Sequence, residues 1–88
     1  MAERHVTVAG ADGLHARPAA LFVKAAAATG VAVTIRKTGS EGHADARSIL
    51  AVLALDVRHG DEVVLQADGD GADAALDKLA ALLEDANV

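Results

Sequence analysis

Gly13-Leu14-His15-Ala16-Arg17-Pro18-Ala19-Ala20 sets a histidine and an arginine at a glycine-marked turn where a helix begins. Pro18 falls in the first helical turn, where its missing N–H costs nothing. The alanine-rich run that follows, from about Ala16 to Thr29, stops at Gly30, the residue best able to close a helix. Upstream of the turn, His5-Val6-Thr7-Val8-Ala9 alternates as a strand does, and downstream Val31-Ala32-Val33-Thr34-Ile35-Arg36 and Glu62-Val63-Val64-Leu65-Gln66-Ala67 do the same. Each of these segments can bury one face.

The polar, glycine-punctuated stretch from Thr38 to Arg47 reads as a hairpin loop with a short strand around His43 to Ala46. Ser48 is placed to cap a short helix over Ile49 to Leu55, without a capping box because Ala51 stands where Glu or Gln would be. Ala72, Ala75, Leu76, Leu79, Leu82, Leu83 and Ala86 recur at three- and four-residue steps, so the last helix must lie on a core. The order β-α-β-β-α-β-α predicts an α+β, open-faced two-layer sandwich, its sheet covered on one face by helices.

Composition narrows the class of function. The 88 residues are expected to form one domain, and 52% hydrophobic content supplies a core without staples. There is no cysteine, hence no disulfide framework, thiolate nucleophile or cysteine-based metal site. No signal-peptide core or bilayer-length apolar run is present, so a soluble cytoplasmic protein without membrane insertion is expected. The net charge of -5 is uneven: residues 1–59 hold seven Lys/Arg against five acids, whereas residues 60–88 hold Lys78 against eight acids. The half with His15 and Arg17 is thus the mildly basic one, suited to phosphate and to acidic protein partners. An acidic chain with a single aromatic residue lacks the charge and the stacking side chains that nucleic acid requires.

The chemistry concentrates at the start of the first helix. The leading N–H groups of a helix have no intrahelical partner and its dipole is positive there, so a phosphate carried on a neighbouring side chain would be held by backbone, dipole and guanidinium together. Histidine suits that role, because its neutral imidazole is a nucleophile near neutral pH and gives its product up to a second acceptor. His5, His43 and His59 are scattered without ligand spacing, no metal or cofactor is implied, and no carboxylate pair suggests hydrolytic catalysis. The short helix is apolar on nearly every side, so one sheet cannot cover it. Ile49, Leu50 and Leu53, with Ala20 and Phe22 of the first helix, are expected to form a docking patch for partner proteins.

Gly13-Leu14-His15-Ala16-Arg17-Pro18-Ala19, the Ser48-Ile49-Leu50 segment and the element order resemble HPr, the histidine-containing phosphocarrier family of the phosphoenolpyruvate-dependent sugar phosphotransferase system. The resemblance covers nearly the whole chain and implies a single HPr-like domain over residues 1–88. It implies an antiparallel four-stranded sheet covered on one face by three helices. His15 would be the phosphohistidine intermediate, taking a phosphoryl group from enzyme I and passing it to the IIA domains of sugar permeases. Arg17 and the backbone N–H groups of Ala16 and Arg17 would stabilise the phosphate.

On this reading the protein is a carrier, not an enzyme, and a monomer, and the patch near the short helix is the docking face. Ser48 resembles a serine that a dedicated kinase phosphorylates, and a phosphorylase reverses, in some relatives. An HPr-like regulatory protein acting through contacts and Ser48 is therefore the alternative. Two positions depart from the family pattern: Arg47 precedes Ser48 where lysine is common, and Asp56 ends the short helix where glycine is frequent.

Overall fold

The structure, a computed structural model, describes residues 2–85. The chain runs β1 (Ala2–Thr7), α1 (Ala16–Ala28), β2 (Val33–Lys37), β3 (Ala44–Asp45), α2 (Ile49–Ala54), β4 (Glu62–Ala67) and α3 (Ala72–Glu84). This is the expected β-α-β-β-α-β-α order. Ala86, the last position of the periodic pattern in the final helix, lies outside the described residues.

The four strands form one antiparallel sheet in the order β1-β4-β2-β3, with β4 between the two strands that flank it. β4 is buried along most of its length. Val63, Leu65 and Ala67 belong to the helix-side core, and Val64 is buried on the opposite face, directly across from His5 on one side and Arg36 on the other. The aliphatic stem of an arginine can shield such a position while its charged head stays in water. The strand expected at His5–Ala9 lies earlier, at Ala2–Thr7, because the ladder with β4 runs from Ala2↔Ala67 to Thr7↔Glu62. Beyond Thr7 the chain turns toward α3, where the Ala9 N–H donates to the Leu83 carbonyl at 3.0 Å.

The three helices cover one face, in agreement with the expected sandwich. Ala75, Leu76, Leu79 and Leu83 of α3 and Ala19, Phe22 and Ala26 of α1 close the core with Val33, Ile35 and Leu65 of the sheet. α2 packs on α1 and β3 and buries only Val52. Its start is capped as the sequence indicates, the Ser48 hydroxyl accepting from the Ala51 N–H at 3.3 Å. Among the described residues, no helix is long and apolar enough to cross a membrane.

Candidate functional site

His15 is the residue immediately before α1, in extended conformation (φ -125, ψ 157), and its side chain makes no capping bond. It is held there by the loop on either side. Gly13 is buried with φ +61, and a Cβ on it would come within 2.3 Å of the Val57 carbonyl oxygen, so no other residue fits. That approach lets the Leu14 N–H donate to the Val57 carbonyl at 2.9 Å, and Leu14 itself is buried. Nearby, the Gly60 N–H reaches the Val8 carbonyl at 2.8 Å. The loop bearing His15 is therefore stitched to the loop that follows α2.

Those contacts bring an acid against the histidine. Asp56 Oδ1 lies 3.3 Å from His15 Nε2, and both side chains are partly exposed, at 53% and 40%. Asp56 has φ +53, so the residue that ends α2 does adopt the left-handed conformation that glycine would take more easily. Its other carboxylate oxygen accepts from Arg58 Nη2 at 3.0 Å, and its carbonyl accepts from Lys37 Nζ at 3.1 Å. Arg58 holds the Asp56 carboxyl below the usual carboxylate range, with smaller contributions from His15 and Lys37. Asp61 is lowered too, first by the Arg58 backbone N–H and then by Lys37. This cluster has no signal in the sequence alone, since Asp56 and His15 meet only because the two loops are joined by contacts such as the Leu14 N–H to the Val57 carbonyl.

Ala16 carries φ +50, and Ala16 and Asp56 are the two non-glycine residues with positive φ among those described. One follows His15 and the other faces it, so the backbone strain sits at this site. Arg17, exposed in the first turn of α1, makes no hydrogen bond or ion pair among the described residues. The first turn of α1 contains no acid, and the N–H groups of Ala16 and Arg17 have no carbonyl one turn earlier to bond. The combination is an imidazole beside an uncompensated positive helix end and a free guanidinium.

The apolar residues expected near His15 separate into two sets. Ile49, Leu50 and Leu53 of α2 are exposed, Leu50 at 78%, and Ala20 on α1 is exposed as well. Phe22 is not: it is fully buried, which corrects the expectation that it lines the patch. Phe22 lies three residues from Ala19 and four from Ala26, on the stripe that faces the sheet, whereas Ala20 is about 200° round the helix from it. Leu21, which the sequence reading missed, is the exposed large apolar residue of α1. Its place four residues after Arg17, on the outward side, was the available signal. No group of three or more potential metal ligands occurs among the described residues.

Fold and site define a small open-faced α+β sandwich that presents a histidine at a helix start and exposed apolar side chains on the two helices, α1 and α2, that pack together. The family model described as PTS HPr component phosphorylation site matches residues 2–85, and the chain belongs to this HPr family of phosphocarrier proteins of the phosphotransferase system. It is 55% identical over 83 residues to the phosphocarrier protein HPr of Streptomyces coelicolor, covering 94% of this chain and 88% of that one. The crystal structure of HPr from Bacillus anthracis superposes with a TM-score of 0.87 at 34% identity, over 93% of this chain and 95% of the other. Crh of Bacillus subtilis, described as a dimer with a swapped domain, matches at 40% identity and a TM-score of 0.73, over 98% and 97% of the two chains.

Proposed function

We propose that this chain carries a phosphoryl group on His15, accepting it from phosphorylated enzyme I and passing it to the IIA domains of sugar permeases. The observation that carries this reading is the partly exposed imidazole, making no capping bond, at the head of a helix whose first turn holds no acid. In the first step a ring nitrogen of His15 attacks phosphorus, the donor's bond to phosphorus breaks, and its electron pair leaves with the donor. The N–H groups of Ala16 and Arg17 and the Arg17 guanidinium hold the transferred oxygens. That hold is moderate by design, because a carrier that bound its phosphate tightly would not release it. Ala20, Leu21, Ile49, Leu50 and Leu53 form the surface on which both partners dock. The chain works as one HPr-like unit over residues 1–88, a cytoplasmic monomer that turns over no small molecule itself.

Intact-mass spectrometry after incubation with phosphoenolpyruvate and enzyme I tests this. One acid-labile phosphoryl group is expected on the parent and none on His15→Ala, whose melting temperature stays close to the parent's because the side chain is partly exposed and makes no capping bond. A parent that stays unmodified by an active enzyme I sinks the carrier reading.

The likeness to Crh, named an HPr-like protein, and the position of Ser48 beside Ile49 and Leu50 favour a second reading. In it the chain is a regulatory binding protein, and phosphorylation of Ser48 by a serine kinase, reversed by a phosphorylase, places a dianion at the edge of the docking surface. An acid-stable phosphate on Ser48 without any on His15 would select it.

A further inference from the structure

Asp56 is placed with more care than a helix-ending turn requires. It accepts a left-handed backbone conformation that costs an aspartate more than a glycine, its carbonyl is held by Lys37, and one carboxylate oxygen is held by Arg58. The remaining oxygen, Oδ1, faces His15 Nε2 at 3.3 Å. Contacts of this kind are often long before the reacting partner arrives and tighten as charge develops.

We propose that Asp56 is a positioning residue for phosphoryl transfer at His15, holding the proton on Nε2 so that Nδ1 carries the phosphoryl group, and offsetting the positive charge that the ring then gains. This inference rests on the carrier reading. When the Nδ1 lone pair bonds to phosphorus, the ring keeps its Nε2 proton and becomes a cation, with Asp56 as its counter-charge. On delivery the Nδ1–phosphorus bond breaks, the electron pair returns to Nδ1, and the phosphoryl group leaves with the acceptor. The proton on Nε2 never moves. A cationic ring is a better leaving group than a neutral one, and a carboxylate near the phosphoryl dianion also repels it. Both effects shorten the life of the phosphorylated state. Arg58 and Lys37 keep Asp56 ionised and in place without occupying Oδ1.

The test uses Asp56→Gly, which relieves the left-handed backbone, and Asp56→Asn, which keeps the shape and the tolerance of that conformation but removes the charge. Both variants should melt no lower than the parent. Ring-nitrogen NMR of unphosphorylated His15, at a pH where the ring is neutral, should show Nδ1 and Nε2 resonances well separated in the parent and drawn together in both variants. After phosphorylation by enzyme I, the phosphohistidine of each variant should persist roughly threefold longer than the parent's, the scale of one exposed charge pair.

Ring resonances that stay unmoved in both variants overturn the proposal, as does equal decay in all three proteins. A parent that enzyme I does not phosphorylate overturns the carrier reading instead, and the ring resonances still decide whether Asp56 holds His15. Decay slowed in Asp56→Gly but not in Asp56→Asn also overturns it, by tracing the effect to the backbone and not to the charge.

Discussion

α1 and α3 are both thirteen residues long, both press an apolar stripe onto the same sheet, and neither has a side-chain cap, but their first turns differ in charge. α3 has Asp73 in its first turn, and Arg4 of β1 reaches across to Asp73 at 3.3 Å and to Asp77 at 3.0 Å. Its positive end is answered within the fold. α1 has no acid in its first turn, its preceding residue caps nothing, and the arginine there is unpaired among the described residues. A first turn that carries its own acid answers the helix dipole within the chain, whereas one without an acid is available to an anion from outside.

If α3 is architectural, cutting into its buried stripe should unfold the protein without any specific effect on transfer. Leu79 is fully buried in the core, and Leu79→Ala should cost about 2–5 kcal/mol of stability, read by denaturant unfolding. The fraction that remains folded should still accept phosphate from enzyme I at the parental rate. A variant that keeps its stability but loses acceptance would break the division between the two helices.

The next effect is smaller in stability and large in function. Arg17→Glu gives α1 the first-turn acid that α3 already has. At an exposed site the change should leave stability within about 0.5 kcal/mol. Acceptance by enzyme I, followed by the rate of mass increase, should fall by at least about tenfold, because the helix end is then answered internally and the guanidinium is gone. Equal rates in parent and variant would mean that the head of α1 holds no phosphate.

Legibility in the sequence followed how local each cause is. The bounds of β4, the start of both long helices and the stop of α1 were readable, because alternation, three-four periodicity, Pro18 and Gly30 act over a few residues. The Ser48 cap was readable for the same reason. β1 was displaced by three residues at its start, since its limits are set by its ladder with β4, far away in sequence. Phe22 was misplaced although the signal was present: the stripe Ala19, Phe22, Ala26 excludes Ala20 from the same face, and taking the period strictly would have substituted Leu21. The apposition of Asp56 to His15 had no local signal. It depends on Gly13 letting two loops approach at Val57, a contact across more than forty positions.

The least disruptive change comes from the other side of the comparison, in Asp73→Asn, which removes from α3 the acid that α1 lacks. Asp73 is 79% exposed, so both its attraction to the helix end and its pairing with Arg4 are screened by water, and Arg4 keeps Asp77. The melting temperature should stay within about 3 °C of the parent in a chain of this size, with the difference shrinking as salt is added. Acceptance by enzyme I should be unchanged. If Asp73→Asn instead slowed transfer, the field at the start of α3 would extend to the histidine, and the two helix starts would have to be treated as one electrostatic unit. If it left both stability and transfer untouched, the burial of Leu76, Leu79 and Leu83 would be what fixes α3, and the acid in its first turn would be incidental to that packing.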